Sequence, residues 1–160
     1  MKETLENLVG LTLTDPTVPT PSCVIDSTKL RHNIERAKAK AAALHVGWRP
    51  HLKTHKSIDI ARLQMSSPEG PATVSTLAEA RYFAQNGVKD IIYAVGIAPQ
   101  KLSAVAAIRR ETGCDLKIIL DSVEAAKFVS EFCRRERVLI PVLLEIDTDG
   151  HRSGLVPGAP

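Results

Sequence analysis

Apolar residues in this chain alternate between two patterns. Short unbroken runs are separated by longer stretches in which they recur every three or four positions. The runs predict strands and the stretches predict helices. The first run, SCVID at 22–26, is followed by a helical pattern over 27–44 that places Leu30, Ile34, Ala37, Ala41 and Leu44 on one face. A second strand is predicted at 48–53, interrupted by Pro50, which implies an edge, a bulge or an unusual approach. A helix over 57–65 and a strand at 72–75 come next. Thr76-Leu77-Ala78-Glu79 is a capping-box pattern, and the helix it opens is expected to close at Asn86-Gly87. Strands at 90–95, 116–120 and 139–146 alternate with helices over 99–110, closed by Gly113, and 121–135. Residues 147–154 form a polar, glycine-containing loop.

Six predicted strands thus alternate with five helices. Their runs show little polar alternation, as expected of parallel strands covered on both faces. A doubly wound open sheet and a (β/α)8 barrel both fit. The dinucleotide-binding form of the open sheet requires a G-x-G-x-x-G loop, which is absent. The chemically rich residues instead follow strand ends, at 51–55 and 147–152. That is where a barrel places its active site. Six strands are two short of a closed barrel, so the chain is either an open α/β sheet or part of a longer protein. Residues 1–20, ending in a cluster of prolines, read as an arm, and residues 21–160 as one incomplete domain.

Composition narrows the function. Aromatics make up only 4%, so the core must come from Ala, Val, Ile and Leu. The net charge of +3 arises from 21 basic and 18 acidic residues spread along the chain, too mild and dispersed for a nucleic-acid partner. No apolar run approaches a membrane span, and residues 1–20 lack the pattern of a secretory signal. Cys23, Cys114 and Cys133 are far apart and odd in number, which predicts buried free thiols in a reducing cytoplasm.

The candidate chemistry centres on RPHLKTHKS at 49–57. Positive neighbours lower the pKa of a lysine amine, and a neutral amine can form a Schiff base with a carbonyl cofactor. Lys53, at the strand end among Arg49, His51, His55 and Lys56, fits that description, although composition alone favours a solvated basic loop. Read from residue type, His51 and His55 are hydrogen-bonded strand-end histidines, and Ser57 is a helix cap. His151 is a loop residue. Gln64 is either a solvated helix residue or a support for the lysine's surroundings. Asp147 and Asp149 favour a turn over a metal site.

Four segments together, TPSCVID at 20–26, RPHLKTHK at 49–56, TLAEA at 76–80 and EIDTDGHRSG at 145–154, resemble the D-serine dehydratase-like and D-threonine aldolase-like enzymes. These belong to the alanine racemase fold group of pyridoxal 5′-phosphate (PLP) enzymes. The resemblance implies a partial PLP-binding (β/α)8 barrel, about six units of eight, with Lys53 as the Schiff-base lysine. Lys56 is the alternative. Arg152 matches the arginine that contacts the phenolic oxygen of the cofactor, and His51, His55 and Ser57 become cofactor contacts. The implied activity is a lyase acting on D-amino acids. Elimination of water from D-serine, giving a 2-oxo acid and ammonia, comes first. Retro-aldol cleavage to glycine and an aldehyde comes second, and racemisation or non-catalytic PLP binding third. Family members are longer, and their remaining part carries the main phosphate-binding loops and a divalent metal, zinc or manganese. No metal ligand is assigned to this chain, which alone is expected to bind PLP weakly. A homodimer is implied by analogy.

Overall fold

The computed structural model describes residues 10–151 and 153–158. Four of its five described α-helices begin where a side-chain oxygen accepts an otherwise unpaired N–H. Helix α1 (Ser27–Ala43) starts at Asp26, which accepts from Lys29 N. Helix α2 (Ile58–Gln64) starts at Ser57, which accepts from Ile60 N. Helix α3 (Leu77–Gln85) starts at Thr76, which accepts from Glu79 N. Helix α4 (Leu102–Thr112) continues a 3₁₀ turn at Pro99–Lys101 and ends at Gly113, whose φ of 65° supplies the left-handed cap. Helix α5 (Val123–Glu136) starts at Ser122, which accepts from Ala125 N. Each oxygen cap contributes about 1 kcal/mol.

Between the helices lie β1 (Ala72–Val74), β2 (Asp90–Gly96), β3 (Asp115–Leu120) and β4 (Val142–Leu144). They form one parallel sheet in the order β1-β2-β3-β4. Ala72 lies opposite Ile91, Asp90 opposite Asp115, and Ile118 opposite Val142. One face of the sheet, with Ala72, Val74, Ile91, Tyr93, Leu116, Ile118 and Leu120, is buried against Phe83, Val105, Ile108, Val129 and Phe132 of α3, α4 and α5. Burying such side chains contributes about 1.5–3 kcal/mol each. Strand order that follows the sequence without reversal, with a single core cluster, is the arc of a barrel rather than a doubly wound sheet.

Two predicted strands do not form. Residues 22–26 have no ladder partner, and Val24 and Ile25 are exposed. A strand needs a hydrogen-bonded neighbour, and among the described residues none pairs with this segment; residues 11–19 lie against it without forming a ladder. Residues 48–53 make one bridge, His51 to Thr73, together with a bond from Thr73 N to Pro50 O at 2.9 Å. Proline has no N–H to continue a ladder, and Leu52–Thr54 turns into a 3₁₀ helix. The last predicted strand, 139–146, shortens to β4 plus an Ile146–Leu155 bridge. The thiols are not uniformly buried either: Cys23 is exposed, Cys133 is half-buried, and only Cys114 is fully inside.

Charge pairs fasten the foot of the sheet. Arg49 donates to both carboxylate oxygens of Asp90, at 3.1 and 2.6 Å, and to Ala72 O at 3.1 Å. Lys117 bridges Asp90 at 2.8 Å and Asp115 at 2.5 Å, and Arg109 pairs with Asp115 at 2.9 Å. Burial opposes ionisation of Asp90, but hydrogen bonds from Arg49 and Lys117 outweigh it and hold its carboxyl below the usual value. Hydrogen bonds from Lys117 and Arg109 do the same for Asp115. Arg49 therefore anchors the segment leading to Lys53 onto β2, in place of the ladder that does not form.

Candidate functional site

Extended through Arg49 to His51, the chain buries Pro50 and then Leu52, where it turns into the 3₁₀ helix that carries Lys53. Arg49 is turned to Asp90 and Ala72 O at the foot of the sheet, so it does not crowd the lysine. His51 pairs with Thr73, and its Nε2 lies 3.2 Å from Ser75 Oγ, just past the end of β1. Lys53 therefore stands at the C-terminal edge of the sheet. Leu52 is 0% exposed and pins the turn into the core.

Side chains fix the turn on every side. His51 Nδ1 accepts from Lys53 N at 3.4 Å. His55 Nδ1 accepts from Ser57 N at 3.0 Å, so its Nε2 carries the proton and donates to Gln64 Oε1 at 3.0 Å. Ser57 caps α2 through its Oγ, at 3.4 Å from Ile60 N, and Tyr82 Oη accepts from Ile58 N at 3.3 Å. Lys56 takes a left-handed backbone with φ of 52°. Its Nζ lies 3.5 Å from Glu79 Oε1, and Ser75 N donates to Glu79 Oε2 at 2.9 Å. Burial lowers the pKa of His51, Lys53 lowers it further, and Glu79 opposes both. His51 is therefore a neutral ring at pH 7.

Lys53 itself is exposed, and among the described residues its amine makes no hydrogen bond or ion pair. Of the residues singled out in the sequence, His51, Lys53, His55 and Ser57 thus come together in one turn, with Gln64 behind them. Arg152 lies outside the described residues. The loop that carries it follows β4, also at the C-terminal edge. Asp147 Oδ1 accepts from Asp149 N at 3.3 Å and Gly150 N at 2.9 Å, which is the turn geometry expected of this D-x-D. Leu155 N donates to Glu145 O at 2.8 Å, and Asp147 N donates to Leu155 O at 3.0 Å, closing the loop at its base. Among the described residues, no three His, Cys, Asp or Glu side chains are grouped to hold a metal.

The sequence reading missed Glu79, Ser75 and Tyr82 as parts of this site. The capping box was the available signal. Its glutamate ordinarily reaches back to the cap N–H, but here it takes the preceding N–H of Ser75 and leaves its second oxygen for Lys56.

The primary amine suits a carbonyl cofactor, while the two histidines and the serine spend their polar atoms on holding the turn that carries it. Comparison with known proteins identifies the family. Residues 25–159 match the family described as alanine racemase, N-terminal domain. The D-threo-3-hydroxyaspartate dehydratase of Delftia sp. (strain HT23) is 45% identical over 139 residues, covering 87% of this chain and 36% of the relative. The D-serine dehydratase of Dictyostelium discoideum is 32% identical over 148 residues, covering 86% of this chain and 37% of the relative. An ala racemase-like protein from Idiomarina loihiensis superposes with a TM-score of 0.84 at 42% identity, covering 89% of this chain and 38% of that one. The chain therefore spans little more than a third of the length of these relatives.

Proposed function

The chain belongs to the alanine racemase N-terminal domain family, and we propose that it carries the cofactor lysine of a PLP-dependent lyase that eliminates water from D-3-hydroxy amino acids such as D-serine. One observation carries the assignment of Lys53. It is the amine at the C-terminal edge of the sheet that is exposed and uncommitted, whereas Lys56 is held by Glu79. The names of the two dehydratase relatives support elimination as the reaction.

PLP supplies a carbonyl for the lysine amine and an electron-poor ring that takes up the electron pair released at the substrate's α-carbon. The residues of this chain do the rest. Lys53 Nζ would hold the cofactor's carbonyl carbon, and once displaced by the substrate's amine it would be placed to take the α-proton. Overall the substrate loses one water across its α- and β-carbons, and a second water replaces the amine, which gives a 2-oxo acid and ammonia. The His51 ring, held by Ser75 and by Lys53 N, and the His55 ring, held by Ser57 N and Gln64, flank the amine as fixed polar walls. Ser57 acts through its cap on α2, which sets the end of the turn. Arg152 is assigned to the phenolic oxygen of the cofactor, because a guanidinium is always charged and holds an oxyanion in plane. This reading includes a divalent metal, zinc or manganese, with no ligand for it assigned in this chain.

No described helix is long and apolar enough to cross a membrane, and the three free cysteines accord with a reducing cytoplasm. A homodimer completes the reading. The test is product analysis with PLP and D-serine or D-threo-3-hydroxyaspartate. A 2-oxo acid and ammonia are expected, and both should disappear with Lys53→Ala. Release of glycine would replace elimination with aldol cleavage, and product from Lys53→Ala would refute the assignment.

A further inference from the structure

The site holds two lysines three residues apart, both exposed to solvent, and a carbonyl compound could react with either. The structure treats them differently. Lys56 leans on Glu79, a carboxylate only 7% exposed and sited at the start of α3. Lys53 has no such partner among the described residues. Glu79 reaches both sides of the turn. Its Oε1 faces Lys56 at 3.5 Å. Its Oε2 accepts Ser75 N at 2.9 Å, Ser75 Oγ meets His51 Nε2 at 3.2 Å, and His51 Nδ1 accepts Lys53 N at 3.4 Å.

We propose that Glu79 is a positioning residue that selects Lys53 over Lys56 as the reactive amine, by engaging the Lys56 amine in an ion pair and fixing the backbone of the turn through Ser75 and His51. The proposal rests on the PLP reading above, which it deepens. The ion pair does the selecting, because a buried carboxylate without a counterion is costly and Lys56 is the cation that faces it.

Glu79→Gln separates charge from shape. The amide oxygen can still accept Ser75 N, so the cap survives, while the hold on Lys56 is lost. The experiment incubates the chain with PLP at neutral pH, reduces with borohydride and measures the adduct on each lysine by peptide mapping. In the unsubstituted chain the adduct should fall mainly on Lys53. In Glu79→Gln the ratio of Lys56 adduct to Lys53 adduct should rise about five-fold, the scale of one partly exposed ion pair. An unchanged ratio in a variant with an unchanged unfolding transition would overturn the proposal.

Should Glu79→Gln not fold, amine acetylation of the unsubstituted chain decides instead. Lys56 should react about five-fold more slowly than Lys53, and equal rates would refute the selection. Failure of PLP to label Lys53 at all would sink the cofactor reading, while the acetylation ratio would still test the role of Glu79.

Discussion

Asp90→Asn tests how the segment bearing Lys53 is held in the absence of a strand ladder. The carboxylate faces Arg49 through two hydrogen bonds, at 3.1 and 2.6 Å, and Lys117 at 2.8 Å. The side chains of Arg49 and Asp90 are 28% and 38% exposed. Exposed pairs contribute about 0.2–1 kcal/mol, while removing one partner of a buried pair costs about 3–5 kcal/mol. A half-exposed carboxylate with two cations lies between, so the substitution should cost about 2 kcal/mol. With a urea m-value of about 1.5–2 kcal/mol/M, the midpoint should fall by roughly 1 M. The effect should also depend on pH. The folded carboxyl of Asp90 titrates below the ordinary aspartate value of 3.8. Its stabilisation is therefore fully present above about pH 4 and is lost as pH falls through the lower folded value. Urea titrations followed by circular dichroism at pH 7 and pH 3 should show a penalty that shrinks at the lower pH. A penalty under about 0.5 kcal/mol at pH 7, or one that is the same at pH 3, would refute the anchoring role.

Other substitutions probe the site from different sides. Leu52→Ala removes a side chain with 0% exposure beneath the lysine turn; it should cost about 2–5 kcal/mol in urea unfolding, and a cost near zero would show that the turn is not packed into the core. Gly154→Ala would place a β-carbon 2.7 Å from Asp147 N at a φ of 123°, so the 147–155 loop should open and be cleaved faster by protease, whereas unchanged cleavage would contradict the tight closure. Burial raises the Cys114 thiol to about 11, so at pH 8 an alkylating reagent should modify exposed Cys23 well before Cys114, and equal rates would contradict that burial.

Local chemistry was the part of this structure most legible in the sequence. Ser57 and Thr76 cap helices where the pattern placed them, the helix expected from 121 is capped one residue later by Ser122, and Gly113 ends α4 as a left-handed residue. These depend on neighbours within four residues. The strands at 72–75, 90–95 and 116–120 were also readable from their short β-branched and leucine runs, but the expected cover on both faces is not found: the face with Thr73, Ile92 and Lys117 is only half-buried. Residues 22–26 and 48–53 failed for a different reason. Apolar composition suits a strand, but a ladder needs a partner at long range, and Pro50 removes a donor where one was needed. In the site, the RPHLKTHK string pointed to Lys53 through resemblance. Arg49 was read as one of its crowding neighbours and instead belongs to the foot of the sheet, where Asp90 holds it. The Glu79–Lys56 pair joins residues 23 positions apart on different elements, a contact that no local pattern encodes.

The most direct test of the account is to trap PLP on the chain itself. Borohydride reduction makes even weak, reversible attachment permanent, and peptide mapping then finds the modified residue. Lys53 should carry most of the adduct, and Lys53→Ala should remove it without moving the unfolding transition. Modification concentrated on Lys56, or spread evenly over surface lysines of the folded chain, would contradict Lys53 as the cofactor lysine.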